Sequence, residues 1–499
     1  METIQIHNGQ SVALGKIKPL TYQNFFDQVV SALHNEQVHC VTYFAYPEKT
    51  KYKFICALAN DSEHTISVLS FEREMDDTSP LESLTTVHNA MHIYEREIHE
   101  NWGVPFENHP WLKPVRYPFD RADTSSEIND YPFYKIETNE LHEVGVGPIH
   151  AGVIEPGHFR FLCNGENVFH LEIQLGWQHR GVEKLFVEKK NQLQQNVLAE
   201  SICGDTTIGQ AWAYAQLIEG AAGIEISERT KIERTIALEL ERMAVHVGDL
   251  SAMCIDVAYQ LGASAFGALR TPIINFTQAW CGNRFGRGLV RVGGSNYPLT
   301  DELASKLTEV LDAFEKQFDL VAVRTFNLPS ILKRFEGIGR ITKNQAHQLG
   351  AVGMVARMAD IPRDIRKSHP FGVYGEFEKP HQGTGDVHAR AVLRRVEIKQ
   401  SIRFIRNLLA TNTNEDEKKP NYQAELLPNH LTISMTEGWR GEICHAMVTD
   451  AKGEIQHYKV KDPSLHNWKA LELSLRNLEI SDFPINNKSY DLSYCGHDL

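Results

Sequence analysis

No C-x-x-C pair occurs anywhere in this 499-residue chain. The eight cysteines, Cys40, Cys56, Cys163, Cys203, Cys254, Cys281, Cys444 and Cys495, stand singly along its length. That excludes a self-contained zinc or iron–sulfur motif. It also reads as a reduced, cytosolic protein without a disulfide framework. No apolar run approaches the roughly 18 residues of a membrane span. The opening METIQIHNGQ lacks the charged-then-apolar order of a secretory leader, so work at a membrane is expected to depend on partner subunits. Positive charge is short as well. The balance of 51 Lys+Arg against 64 Asp+Glu gives −13, which excludes a general nucleic-acid binder. The glycines of GNRFGRG (282–288) lack the G-x-G-x-x-G spacing of a nucleotide loop.

What is present fits a globular protein, with 42% hydrophobic and 23% charged residues. The length exceeds the roughly 250–300 residues one core sustains, so two domains are expected. Residues 1–122 read as an α+β module. VHCVTYFAY, YKFICALAN and TISVLSFERE have strand composition. After them a helix is predicted from Ser79, with Pro80 at its first position and Glu82 completing a capping box, to a break at Trp102–Gly103. Residues 123–141 are polar and turn-rich and are assigned as a linker. From 142 to 499 the pattern is mainly helical with small antiparallel sheets. NGEN (164–167) marks a tight turn. Ser227, Thr300 and Thr342 are cap candidates, 386–410 is a further helix, 412–421 a solvated loop, and 442–460 a hairpin. The expected fold class is therefore α+β.

Three segments carry a resemblance. YEREIHENWGVPFENHPWLKPVRYPFD (94–120) resembles the signature of the 30-kDa-type subunit of respiratory complex I. GPIHAGVIEPGHFRF with LGWQHRGVEKL (147–185) is similar to the start of the 49-kDa-type subunit and of the large subunits of membrane-bound nickel–iron hydrogenases. ICGDTTIGQAWAYAQ, CGNRFGRGLVRVGG, GAVGMVARMADIPRDIR and GDVHARAVLRRVEIKQS follow in that family's order. The resemblance implies a fused 30-kDa/49-kDa-type subunit of the complex I-like, energy-converting (group 4) hydrogenase-related kind. It would be peripheral on the cytoplasmic side of the cell membrane, held by membrane ion-translocating subunits. An iron–sulfur cluster is expected in a partner small subunit, with quinone as a further partner and no cofactor bound by this chain itself.

In that family two C-x-x-C pairs hold nickel and iron, for which soft thiolates are suited. Here the first pair falls on Cys203 and Thr206. The second, expected after D-P, falls on Asp491, Leu492, Ser493 and Gly496, with Cys495 one position off. The metal-site positions Cys203, Thr206, Ser493 and Cys495 are thus degenerate, and nickel–iron binding is not expected. The quinone constellation of complex I is incomplete too: Gly204 stands at the tyrosine position, Ser201 replaces an arginine, and of a histidine pair His150 alone matches. Family position makes Glu183, with His179, Asp205 and His150, the proton-relay or cavity candidates. A buried carboxylate with raised pKa suits such a relay. For Glu183 the alternative is an exposed acid on a helix's first turn; for Cys203 it is a small buried hydrophobe. Asp205, if buried, is expected to be protonated or paired. The main functional reading is the large subunit of an oxidoreductase that couples electron transfer to proton or sodium movement. A quinone-reducing or unusually ligated hydrogenase subunit, and a non-catalytic scaffold, stand beside it.

Overall fold

The computed structural model describes residues 3–138, 140–151, 154–377, 383–411 and 418–499. The fold is α+β. The N-terminal part is built on a five-stranded sheet in the order Ile4–Ile6, Thr65–Glu74, Lys51–Asn60, Val38–Glu48, with Pro19–Leu20 pairing parallel to Thr65–Glu74. Both faces of this sheet are covered, which explains why YKFICALAN is apolar without strict alternation. Along Lys51–Asn60 the side chains Phe54, Cys56 and Leu58 pack toward helices Tyr22–Leu33 and His92–Trp102. The intervening Ile55, Ala57 and Ala59 pack with Ile433, Met435, Cys444 and Ala446 of the C-terminal region. Phe54 and Phe71 stack with centroids 4.0 Å apart at the centre of the first face.

The two sequence domains are therefore joined sheet to sheet. Ser11–Ala13 pairs antiparallel with His430–Glu437, completing a four-stranded sheet with Glu442–Thr449 and Ile455–Lys461. The first dozen residues thus serve the C-terminal sheet as well as the N-terminal one.

The helix predicted from Ser79 begins at His92 instead. Leu81–Glu82 pairs in parallel with Phe106–Glu107. The buried Glu95 carboxylate then collects Ser83 Oγ (2.5 Å), Leu84 N (2.7 Å) and Thr85 Oγ1 (2.6 Å). These tertiary bonds outweigh a local capping box, which is a weak preference by comparison. The helix end is as expected, with Gly103 in the left-handed region at φ 70°.

In the second part, NGEN turns the hairpin His158–Asn164/Asn167–Gln174. Ser227 accepts from Thr230 N and caps the 29-residue helix Glu228–Asp256; Thr300 accepts from Leu303 N and caps Asp301–Phe326. Glu228–Asp256 packs against Gln260–Cys281 and Val387–Leu409, and Thr207–Ala222 lies against strand His430–Glu437. The arginines of VARMADIPRDIR are paired structurally. Arg357 bonds Glu397 (2.7 Å) and Glu437 (2.7 Å), Arg366 bonds Asp364 (2.6 Å) and Glu239 (3.1 Å), and Arg363 bonds Asp61 (2.7 Å). Much of the predicted solvated loop, 412–417, lies outside the described residues. Among the described residues no helix is long and apolar enough to cross a membrane.

Candidate functional site

Cys203 lies in the loop between helices Gln192–Glu200 and Thr207–Ala222. Two side chains from elsewhere hold this loop. Arg180 donates to Ser201 O and Ile202 O (2.9 Å each), and Trp439 Nε1 donates to Asp205 O (3.0 Å). The chain's last residues are fastened beside it. Ser493 N donates to Ser464 Oγ (2.9 Å), Trp468 Nε1 to Ser493 O (3.0 Å), and Arg180 N to Asp498 O (2.9 Å). Cys203 Sγ consequently lies 3.3 Å from Ser493 Oγ and 3.1 Å from Asp205 Oδ1. Burial, helped by the nearby Cys203 thiol, pushes the Cys495 thiol well above the ordinary thiol range. Residues almost three hundred positions apart thus meet, and the site holds two thiols.

The centre of the cluster is Arg440, which sequence reasoning missed. It sits in the turn joining strands His430–Glu437 and Glu442–Thr449. Gly441, at φ 137°, lets this turn lie against Gly353, where an added Cβ would meet the Gly353 Cα at 2.6 Å. Arg440 binds Asp205 with both prongs, Nη1–Oδ1 2.7 Å and Nη2–Oδ2 2.9 Å, and also donates to Thr206 Oγ1 (3.3 Å). Its guanidinium lies over the Trp439 ring at 3.8 Å. Burial alone would raise the Asp205 carboxyl, but Arg440 outweighs it and the net shift is downward. Asp205 is therefore the paired, ionised carboxylate of the two expected alternatives.

Glu183 occupies the first turn of helix Val182–Glu188. It accepts from Val460 N (2.9 Å) and pairs with Lys459 at 3.0 Å and Arg116 at 3.9 Å. Glu97 contacts the same two cations at 2.5 Å each. Glu183 is accordingly one of two carboxylates balanced by two cations at the seam of the two domains, not an acid isolated in an apolar pocket. Desolvation, helped by Arg116, pushes His179 down to about 4, so its ring is neutral near pH 7. His150 stands exposed in the loop after the cis Gly147–Pro148 bond. In that loop it is Glu155 whose charge is felt by Arg180, Arg440 and Asp205.

A nickel–iron centre does not fit this donor set. The thiols of Cys203 and Cys495 remain, but Thr206 and Ser493 supply hard, weakly donating hydroxyls where thiolates are needed. Among the described residues no group of three or more His, Cys, Asp or Glu has metal-holding geometry. What the cluster offers is a pair of adjacent thiols beside a fixed guanidinium–carboxylate pair.

Residues 21–127 match the family described as the 30-kDa subunit of respiratory-chain NADH dehydrogenase, and residues 263–498 match its 49-kDa subunit. Formate hydrogenlyase subunit 5 of Escherichia coli (strain K12) is 26% identical over 398 residues, covering 79% of this chain and 69% of its own. The C/D-type NADH-quinone oxidoreductase subunit of Phocaeicola vulgatus is 26% identical over 443 residues, covering 81% of this chain and 83% of its own. Among solved structures, a chain of the membrane-bound sulfane sulfur reductase, an archaeal respiratory membrane complex, superposes with a TM-score of 0.67. It covers 73% of this chain and 100% of that one at 22% identity, a likeness of fold.

Proposed function

We propose that this chain, which belongs to the complex I-like, hydrogenase-related family of fused 30-kDa/49-kDa-type subunits, is the large subunit of a membrane-associated oxidoreductase that couples electron transfer to proton or sodium movement without a nickel–iron centre. The observation that carries the last point is the donor set around Cys203, with two thiols and two hydroxyls. Electrons would reach the cluster from an iron–sulfur partner subunit, with quinone as a candidate acceptor. The chain would lie on the cytoplasmic face, bound to ion-translocating membrane subunits.

The direct test is anaerobic purification of the intact complex from its membranes, with nickel and iron counted per copy of this chain. Iron without stoichiometric nickel is expected. One nickel per chain would return hydrogen chemistry to this site.

Coupling and scaffolding readings separate at Glu183. Glu183→Gln keeps an acceptor for Val460 N and removes the titrating group. If the residue passes protons, ion transport by the assembled complex falls by about a hundredfold or more, the modest end of what a lost proton-transfer group costs. Unchanged transport in vesicles with normal assembly would favour the scaffold.

A further inference from the structure

We propose that the cavity between the N-terminal domain and helix Ser464–Ser474 is a binding site for a flat aromatic carboxylate, separate from the Cys203 cluster. The cavity measures about 680 Å³, within the range of small-molecule sites. Its walls come from helix His92–Trp102, the segment 110–115, residues 131–134, strand Asn167–Gln174 and helix Ser464–Ser474.

The charges on these walls are unevenly satisfied. Each acid already has a protein donor on both of its oxygens. Glu172 takes Lys113 on Oε1 and Tyr134 N (2.7 Å) on Oε2. Glu472 takes Ile173 N (2.9 Å) on Oε1 and Lys469 on Oε2. The cations are in surplus. Arg96, only 8% exposed, donates Nε and Nη2 to the carbonyls of Lys113 (2.7 Å) and Pro114 (2.8 Å) and has no carboxylate partner among the described residues. Arg476 also lines the cavity and makes no ion pair with the described residues. His92 is buried against the cavity with neither ring nitrogen hydrogen-bonded. Arg96 spends Nε and Nη2 on backbone carbonyls, and a ligand carboxylate would give its guanidinium the anion it lacks.

The walls also specify shape. The Trp111 ring lies 5.1 Å from that of His92, with Lys469 Nζ 4.7 Å from its centroid on the same indole. Trp468 and Tyr131 supply further aromatic surface. An inorganic anion would meet the guanidinium and leave these rings unmatched, whereas a flat apolar body carrying a carboxylate meets both. Trp468 also stands between this cavity and the Cys203 cluster, since its Nε1 donates to Ser493 O. Occupancy would therefore bear on the backbone that carries Ser493 and Cys495.

The test is calorimetric titration of the full-length chain with 2-naphthoate, and with neutral 2-naphthamide of the same shape. One saturable site is expected for the acid, and binding of the amide at least about tenfold weaker, the scale of one charge-assisted hydrogen bond. Arg96→Gln should weaken 2-naphthoate by a similar factor and leave 2-naphthamide almost unaffected. Because Arg96 also holds two carbonyls, Arg476→Gln, at an exposed residue, serves as the second variant and should weaken the acid selectively. Equal binding of acid and amide, wild-type affinity in both variants, or no saturable binding of either probe at millimolar concentration would each overturn the proposal.

Discussion

Glu397→Ala is expected to destabilise the chain by about 3–5 kcal/mol, the range for breaking a buried charge network at one partner. Glu397 is the common acceptor of three donors. Oε1 takes Arg357 Nε (3.0 Å) and Nη2 (2.7 Å), while Oε2 takes Arg242 Nη1 (3.3 Å) and His246 Nε2 (2.9 Å). Exposure is 4% for Glu397, 0% for Arg242 and 6% for Arg357, so water does not share the load. Burial alone would raise the Glu397 carboxyl, yet Arg357, His246 and Arg242 together hold it well below the usual carboxylate range. Alanine leaves Arg242 without its interhelical acid and Arg357 with Glu437 and Asp364 alone. Urea unfolding of the full chain measures the loss, and a change under about 1 kcal/mol would mean that the cavity left by the carboxylate fills with water and screens the arginines.

The consequence reaches the candidate site. Arg242 also donates to Glu437 O (2.6 Å) and Gly438 O (3.1 Å), and Arg357 bonds the Glu437 side chain. These bonds fix the entry to the turn that presents Trp439 and Arg440 to Asp205. The Glu397 network is thus the foundation of the Arg440–Asp205 pair, two steps removed from the thiols.

Local signals in the chain form where their residues stand, and features that depend on distant partners do not show in the sequence. Caps such as Ser227 and Thr300, the NGEN turn and the closing hairpin are local devices, and each forms where its residues stand. The order of motifs makes the family legible, and with it the loss of thiolates at Thr206 and Ser493. Three features need the tertiary fold. Ser79 looks like a helix start, but Glu95 reclaims the following residues for a loop. Cys495 is one position out of register with the family's pattern, yet the tail's bonds to Ser464, Trp468 and Arg180 turn its thiol onto Cys203. Arg440 carries no spacing signal; only the pairing of strands His430–Glu437 and Glu442–Thr449 brings its turn to Asp205. Glu183 shows the opposite case. Its position is readable, but its environment depends on Arg116 and Lys459, which arrive from the far domain and the last strand.

Stability should peak near pH 7 and fall on both sides, for two separate reasons. On the acid side the cause is buried neutral histidine. Burial pushes His445, His457, His466 and His497 from 6.5 down to about 3, and His246 to about 4. Their native pKa values lie below the unfolded ones, so this contribution is complete above about pH 6.5 and is lost as pH falls, because the unfolded chain takes protons that the native state refuses. On the alkaline side the cause is buried carboxyl groups. Burial raises Glu241 to about 8, Glu95 to about 7 and Asp498 to about 6. Their native values lie above the unfolded ones, so the native state holds protons that it must give up as pH rises to 8, and stability drops through that window. Between about pH 5 and 6.5 the two sets oppose each other, and the histidines, being more numerous, set the sign. Each net proton changes stability by about 1.4 kcal/mol per pH unit, enough to move a urea midpoint visibly between pH 5.5, 7 and 8.5. Glu241 accepts Ile208 N (2.6 Å) and Gly209 N (3.3 Å) at the start of the helix that follows Thr206. Glu241→Gln keeps an acceptor for Ile208 and removes the titration, so it should flatten the alkaline limb and leave the acid limb in place. A midpoint that climbs steadily from pH 5.5 to 8.5 in the wild-type chain would show that these carboxyl groups are ionised throughout, and that the helix after Thr206 begins on a fixed negative charge.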